Sequence, residues 1–357
     1  MVTPQACAGR RGSIPDFKLK RFAVTMRGSP KDCKKHMDPR IFSVAPMVDV
    51  TSSTFRRMVR VMTQRAMLYT EMIAADAIVH GKEHLIDFKD EELPLTLQIG
   101  GNDPVKLAYA CKVAEKRGYS AVNLNAGCPS DKVQSGAFGA ILMKDPKRLG
   151  ELFAAMQDAV TIPVSVKTRI GVDEADSFDY TLSLVSALYD AGCRDIILHA
   201  RKAWLNGLSP KENRTVPPLD YARVYVLKSM FPDVFFTING GVLTLEECKE
   251  HLRHVDGVML GRAIIDNPYL LASVDQEIFG VETEIQDRDT VLERMVALGH
   301  MLQDEGQSVH HLCRHLMGLY QGVKGARRFR RYLSDHMTAL GTTPEILLDA
   351  REAMEHV

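Results

Sequence analysis

The sequence predicts an α/β fold, namely a TIM-type (β/α)8 barrel followed by a small C-terminal helical bundle. Apolar runs of strand length recur eight times between Phe42 and Leu260, and most end in a polar residue or glycine. Amphipathic stretches of helical length lie between the later runs, and the strand pattern stops after Tyr269. Eight strand–helix units in this length of chain are typical of a closed parallel barrel and not of an open doubly wound sheet.

The elements follow in order along the chain. The predicted strands are Phe42–Pro46, Met67–Thr70, Leu95–Ile99, Ala121–Asn125, Val164–Thr168, Asp195–His199, Val234–Asn239 and Gly257–Leu260. The predicted helices between them are Val105–Arg117, Leu149–Ala159, Tyr180–Ala191, Tyr221–Met230 and Leu245–His254. The C-terminal helices are predicted at Val291–Glu305, Val309–Tyr320, Ala326–Ala339 and Pro344–His356. We therefore assign residues 40–280 to the barrel and residues 281–357 to a helical domain.

The bulk properties describe an ordinary soluble protein. Hydrophobic residues make up 45% and charged residues 25%, and Lys plus Arg equal Asp plus Glu at 45 each. No apolar run reaches the roughly 18 residues that span a bilayer. The seven cysteines are scattered without a CxxC pair, which predicts a cytoplasmic protein without a metal site. Residues 1–39 are basic and aperiodic, so we expect an N-terminal extension that is disordered or precedes the true start.

Glycine-rich turns follow the last two predicted strands, where TIM barrels commonly bind a phosphate group. Asn239-Gly240-Gly241 ends the seventh strand, and Gly261-Arg262 follows the eighth. Glycines let backbone N–H groups approach phosphate oxygens, and an arginine adds a charge-assisted pair. One Gly-Gly turn alone is only a tight connection, but two such turns at neighbouring strand ends favour a phosphate site.

Other strand ends carry side chains that suit a flavin ring. Lys167 can hold negative charge on a reduced flavin, and His199 can donate a hydrogen bond to the same ring edge. Gln98 offers an amide that can pair with a heterocycle, and Pro46 and Met47 end the first strand. Either lysine, Lys167 or Lys202, could instead be a solvent-exposed residue without a function. That alternative suits Lys202, but it does not suit Lys167, because Lys167 lies inside an apolar strand.

Cys128 stands in a glycine-bounded loop after Asn125, with Gly136 and Gly139 as hinges that would let residues 128–139 act as a lid. A cysteine thiol is mostly protonated at neutral pH, so it can serve as a general acid. A nucleophile would need a neighbouring base and a metal ligand would need partners, and the sequence supplies neither nearby. Cys128 is therefore the candidate catalytic residue.

Basic residues concentrate without any acid between Arg314 and Arg331, with aromatic residues interleaved. Arg327, Arg330 and Arg331 share one face of a predicted helix. Such a run is usually only a solvated face. In a helical segment of an otherwise neutral chain, it favours contact with nucleic-acid phosphates.

These motifs together resemble the tRNA-dihydrouridine synthases, and most closely their A-type bacterial subfamily. The matching segments are Ala45–Met47, Leu68–Met72, Leu97–Gly101, Asn123–Asn125, Gly127–Ser130, Val166–Gly171, His199–Trp204, Leu208–Arg214, Ile238–Gly241, Asp256–Arg262 and Gln321–Arg331. One departure is visible: the family's Ala-Pro-Met-x-Asp-Trp-Thr-Asp has Val50 and Ser52 here in place of the tryptophan and the second aspartate.

The resemblance implies an FMN-dependent, NADPH-driven reduction of uridine to dihydrouridine in the tRNA D-loop, at positions 20 and 20a. Hydride would pass from N5 of the flavin to C6 of the uracil, and Cys128 would protonate C5. The implied FMN contacts are Pro46, Met47, Val48, Gln98, Lys167, His199, Asn239, Gly240, Gly241, Gly261 and Arg262. The implied tRNA contacts are Asn125, Arg201, Lys202, Ser209, Lys211, Arg327, Arg330 and Arg331. The target uridine would have to swing out of the RNA into the pocket.

Two other functions remain open at this point. A relative of dihydroorotate dehydrogenase would reduce a free pyrimidine, but a small substrate needs no basic helical surface. A non-catalytic relative would only bind RNA, but it would have no reason to keep Cys128, Lys167 and His199 together.

Overall fold

The computed structural model describes residues 38–130 and 136–355. The predicted N-terminal extension therefore lies outside the described residues, except for Asp38 and Pro39. So do residues 131–135 of the predicted lid. Residues 38–355 belong to one compact unit.

The described strands form one parallel sheet. They are β1 (Phe42–Val44), β2 (Leu68–Tyr69), β3 (Ile73–Ala74), β4 (Leu95–Gly100), β5 (Ala121–Ala126), β6 (Val164–Arg169), β7 (Asp195–His199), β8 (Phe235–Asn239) and β9 (Gly257–Leu260). The strand order is β1-β9-β8-β7-β6-β5-β4-β2, and β2 and β3 share one position because both pair with β4. The N–H of Val44 donates to the carbonyl of Met67 at 3.0 Å and joins β1 to the start of β2. The predicted eight-position barrel is thus confirmed.

Helices alternate with the strands as predicted. They are α1 (Ser53–Met62), α2 (Ala75–Val79), α3 (Pro104–Lys116), α4 (Pro146–Gln157), α5 (Phe178–Asp190), α6 (Tyr221–Met230), α7 (Leu245–His251), α8 (Arg262–Asp266) and α9 (Val274–Glu277). Side-chain N-caps explain where several begin, because a capping oxygen satisfies a free N–H of the first turn. Asp103 caps α3, Asp145 caps α4, Ser177 caps α5 and Asp220 caps α6. Ser52 caps α1, so a serine keeps a capping hydroxyl where the family pattern has aspartate.

The C-terminal segment is helical, as predicted. It contains α10 (Arg288–Asp304), α11 (His310–Leu316), α12 (Ala326–His336) and α13 (Ile346–Glu352). These helices share one hydrophobic core with the helical layer of the barrel. They are held against α1 by an ion pair of 2.9 Å between Arg57 and Glu305 and by a hydrogen bond of 2.7 Å from Thr54 to Gln307. The assignment of residues 281–357 to a separate domain stays a prediction.

The interior of the barrel is unusually polar for a core. Alternate residues of a strand point to the same side of a sheet, so the inward positions can be read from the register. One inward set is apolar and forms a small cluster of Ala45, Met67, Tyr69, Ile197 and Met259. Towards the carboxyl ends of the strands the inward side chains become polar, and these side chains form the candidate site. Within the described ranges, no helix combines the length and the apolar character that a membrane span requires.

Candidate active site at the barrel mouth

Neighbouring strands bring the predicted polar side chains together at the mouth. Gln98 and Lys167 lie near the ends of β4 and β6, and His199 and Asn239 end β7 and β8. The strand register places His199 beside Asn239, and the ammonium of Lys167 donates to Asn239 Oδ1 at 3.1 Å. The amide of Asn239 also donates to the carbonyl of Met259 at 2.7 Å, which fixes its orientation. Residues far apart in the chain therefore form one polar floor.

Lys167 titrates unusually low at this position. Burial, which disfavours the charged ammonium, lowers the pKa of Lys167 to about 7, and the charge of Arg169 acts in the same direction. An anionic group placed beside the ammonium would oppose both effects. Near neutral pH, binding of an anionic group beside Lys167 would therefore favour the protonated, positively charged form of its side chain.

His199 is neutral in this environment. Its side chain is buried, and burial lowers its pKa well below the ordinary value of 6.5, with further lowering by the charges of Arg169 and Lys167. A neutral imidazole keeps one donor and one acceptor nitrogen. It can thus form hydrogen bonds with a ligand without adding charge.

The turn after β8 approaches His199 so closely that only glycine fits. Gly240 and Gly241 have φ angles of +106° and +78°, a region that favours glycine. A Cβ on Gly240 would lie 2.5 Å from Cδ2 of His199, and one on Gly241 would lie 2.7 Å from the hydroxyl of Tyr221. Tyr221 also donates to the carbonyl of Gly240 at 2.7 Å. This turn is a cradle whose backbone can face a ligand.

Five cations gather around the mouth: Lys167, Arg169, Arg201, Arg214 and Arg262. No ion pair involves any of them in the part of the chain that the structure describes. Burial lowers the pKa of Arg201 and Arg214, and the charge of Arg262 lowers both further. Burial also lowers the pKa of Arg169 to about 10. Such mutual repulsion is relieved by an anion, so the mouth fits a phosphate-bearing ligand.

Arg169 and Arg214 are site residues to which sequence analysis gave no role. Arg169 is 5% exposed, and its guanidinium donates to carbonyls of Gly127, Lys202 and Asn213 at 2.9–3.0 Å. It therefore ties together three loops of the mouth. The carbonyl of Arg214 accepts a hydrogen bond of 2.9 Å from Arg262. The alternation of β6 places Arg169 on the same side as Lys167, which is the signal that could have identified it.

Cys128 is partly exposed at this mouth, and its Sγ lies 3.4 Å from the hydroxyl of Ser130. The charges of Lys167, Arg169 and Arg214 are close enough for a Cys128 thiolate to raise the pKa of each. The other cysteines of the described residues are all buried, and burial raises the pKa of Cys111, Cys193, Cys248 and Cys313 to about 12. Among these thiols, Cys128 alone is placed to meet a substrate.

The loop after β1 forms another side of the mouth, with Pro46 and Met47 half-buried and Val48 59% exposed. Asp49 follows with a φ of +61°. Its N–H donates to the carboxylate of Glu71, and its carbonyl accepts a hydrogen bond of 2.6 Å from Arg314. Arg314 thus joins the C-terminal helices to the mouth, a contact between distant residues that the sequence did not reveal.

The residues predicted to contact tRNA differ in their solvent exposure and in the partners that their side chains already have. Asn125 is 8% exposed, and its side chain takes part in three hydrogen bonds. Arg201 donates to the carbonyl of Pro217, while its buried Nε has no described partner. Lys202 pairs with Asp176 at 2.9 Å and lies 4.1 Å from the ring centroid of Trp204. Ser209 donates to Glu212 at 2.6 Å, and Lys211 is exposed.

The predicted basic face lies on α12. Arg327 and Arg331 are exposed, and Arg331 lies 3.6 Å from Asp335. Arg330 is half-buried and lies 3.4 Å from the side-chain oxygen of Gln321. No test of RNA contact follows from these positions, so the tRNA assignments stay predictions.

Comparisons with known proteins agree with one another. A sequence model of the family described as dihydrouridine synthase matches residues 43–355. The chain is 47% identical over 321 residues to a tRNA-dihydrouridine(20/20a) synthase of Shewanella oneidensis, covering 90% of this chain and 96% of the relative. It is 48% identical over 310 residues to the Salmonella typhi protein of the same name, covering 87% and 93%. The Escherichia coli K12 protein of that name is 47% identical over 319 residues, covering 89% and 92%.

Proposed function

The chain belongs to the dihydrouridine synthase family, and from that premise we propose that it reduces uridine to dihydrouridine at positions 20 and 20a of tRNA. The observation that carries the proposal is the composition of the barrel mouth. A partly exposed thiol, Cys128, stands close to Lys167, Arg169 and Arg214, which belong to a group of five mouth cations without ion-pair partners among the described residues. A proton donor next to an anion site is what a reductive addition across a double bond requires.

FMN is the cofactor that these residues fit. The Gly240–Gly241 turn and Arg262 would hold its phosphate, because they present backbone N–H groups and a cation at the ends of two neighbouring strands. Lys167, neutral His199 and Gln98 would face the ring, and Pro46 to Val48 would line its edge. When bound and reduced by NADPH, FMN would supply the hydride that saturates C6 of the uracil.

The chain itself provides the proton and the orientation. Cys128 would donate its thiol proton to C5 and recover it from solvent. Lys167 becomes protonated near neutral pH when negative charge is placed beside it, so it would stabilise that charge during the reaction. Arg201, Arg214 and Lys211 lie around the same opening and would hold the RNA backbone while the uridine enters. A cytoplasmic location belongs to this proposal, because the substrate is tRNA and the described cysteines are free thiols.

A spectroscopic experiment tests the proposal. The purified protein should show flavin absorbance that NADPH bleaches under anaerobic conditions. Unmodified tRNA should restore the oxidised spectrum, and free uridine should not. Reoxidation by free uridine or orotate at the rate seen with tRNA would instead identify a reductase of free pyrimidines.

A further inference from the structure

In the loop that carries Cys128, the N–H and carbonyl groups of both Gly127 and Cys128 form hydrogen bonds. The side-chain Oδ1 of Asn125 accepts the N–H of Gly127 at 3.1 Å and the N–H of Cys128 at 3.0 Å. The guanidinium of Arg169 donates to the carbonyl of Gly127 at 2.9 Å. The N–H of Ala140 donates to the carbonyl of Cys128, also at 2.9 Å. Two of the three partners are side chains of neighbouring strands, so the strands themselves determine the shape of the loop.

Asn125 can adopt only one amide orientation in this arrangement. Backbone N–H groups are donors, so the oxygen of Asn125 must face them and its nitrogen must face away. That nitrogen donates to Gln98 Oε1 at 2.9 Å, and Gln98 Nε2 donates to Asn123 Oδ1 at 2.8 Å. Asn123 then donates to the hydroxyl of Ser165 at 2.8 Å. The two backbone N–H groups of the loop therefore determine which atom donates and which accepts in each hydrogen bond from Asn125 to Ser165.

This chain is buried, so water cannot replace its members. Gln98 is 1% exposed, Asn123 is fully buried and Ser165 is 3% exposed. A buried amide that loses its hydrogen-bond partner is left desolvated without compensation. Breaking any one of these hydrogen bonds therefore costs free energy of folding. Space restricts the loop as well, because a Cβ on Gly127 would lie 3.3 Å from the backbone of Thr168 on β6.

We propose that Asn125 is a positioning residue that, together with Arg169, fixes the Cys128 loop before RNA binds. The proposal rests on the proposed function, in which Cys128 donates the proton. Contact with tRNA is at most a second role for Asn125, because its oxygen already accepts two hydrogen bonds and its nitrogen has one N–H left. The same chain includes Gln98, so the loop of the proton donor and the predicted flavin contact share one rigid support.

Amide hydrogen exchange of the FMN-loaded protein without RNA tests this directly. In Asn125→Ala, the amides of Gly127 and Cys128 lose their acceptor and should exchange about fivefold faster or more, the factor expected for one hydrogen bond. Asn125→Asp keeps an acceptor for both amides but loses the donor to Gln98, so exchange should rise less than in Asn125→Ala. Arg169→Lys keeps the charge but cannot reach the Gly127, Lys202 and Asn213 carbonyls together, so exchange should also rise. Lys211→Ala, an exposed rim residue, should leave exchange unchanged.

A kinetic experiment distinguishes a positioning role of Asn125 from a role in RNA contact. With FMN reduced and tRNA saturating, the single-turnover rate of Asn125→Ala should fall about tenfold or more, which is part of the roughly 10²–10⁴-fold contribution of a placed general acid. The dissociation constant for tRNA should stay within about twofold of the wild-type value, since positioning acts on the rate and not on affinity. Unchanged exchange in both Asn125→Ala and Arg169→Lys would overturn the proposal, as would raised exchange with an unchanged rate. A fully active Cys128→Ala would contradict the proposed function instead, and it would leave the exchange result intact.

Discussion

Replacing Cys128 by alanine removes the proposed proton donor while leaving the backbone hydrogen bonds of its loop in place. Uridine reduction should slow by about 10²–10⁴, the usual contribution of a general acid. FMN retention, tRNA affinity and flavin reduction by NADPH should be unchanged. Cys128→Ser is the matched control for size, and it should also be slow because a hydroxyl is a much weaker acid than a thiol. Rapid single-turnover kinetics would measure the step, and near wild-type rates in both variants would refute the assignment.

Lys167 gives the site a testable pH dependence. Its pKa of about 7 means that the ammonium is charged below pH 7 and neutral above it. Affinity of the flavin-free protein for FMN should therefore fall as pH rises from 7 to 9, because protonation of Lys167 must then accompany binding. The FMN phosphate is fully ionised over this range, so it contributes little to the slope.

Lys167→Gln supplies the control for that titration. At pH 7 this variant should bind FMN more weakly than the wild-type protein does, and its affinity for FMN should vary less with pH. Titrations followed by flavin fluorescence would measure both. Parallel pH profiles for the two proteins would show that Lys167 does not contact the bound flavin.

At the scale of single elements, the turn after β8 is the clearest case. Gly240→Ala places a Cβ 2.5 Å from Cδ2 of His199, so either the turn or the imidazole must move, and FMN should be lost during purification. Gly118→Ala is a matched control, because Gly118 also has a positive φ of +87° but has nothing within 4 Å of its added Cβ. Both variants should lose about 1 kcal/mol of stability from backbone strain. Flavin content per protein should separate them, and equal flavin content would contradict the cradle.

Helix α12 is predicted to bind phosphates without reading sequence. Each phosphate contact contributes about 0.7–0.9 to the salt slope of binding, so replacing both Arg327 and Arg330 by alanine should reduce that slope by about one to two units. The rate of flavin reduction by NADPH should not change. Arg253→Ala removes an arginine with a 73% exposed side chain in the turn after α7 and serves as the control. If tRNA affinity measured across a salt series showed no difference, the basic run would be only a solvated face.

Helix α1 shows why sequence patterns miss some elements. No helix was predicted at residues 53–62, where arginines interrupt the apolar positions. In the fold Arg56, Arg57 and Arg60 are buried, and Arg56 and Arg57 pair with Glu92, Glu91 and Glu305. Burial of paired charges inverts the expected pattern, and pairing between distant residues cannot be read from local periodicity.

On the scale of the whole molecule, the sequence predicted the barrel well because its strands are short, apolar and separated by capped helices. It also predicted which strand ends carry polar side chains, since the period of two places Gln98, Lys167, His199 and Asn239 inward. It could not predict how those side chains bond to one another. The role of Asn125 as an RNA contact stays a prediction, and the sequence did not reveal that its side-chain oxygen accepts the N–H groups of Gly127 and Cys128. Contacts across the barrel, such as Arg314 to Asp49, depend on closure of the whole fold.

The most direct test of the central claim is to map the modified nucleoside. A tRNA transcript with uridines at positions 20 and 20a is incubated with the FMN-loaded protein and NADPH. Each of the two uridines should gain two hydrogens. Mass spectrometry of nuclease fragments would detect the gain, and Cys128→Ala in the same assay would show how far it depends on the thiol. Unmodified uridines at both positions, from a protein whose flavin NADPH reduces normally, would contradict the account.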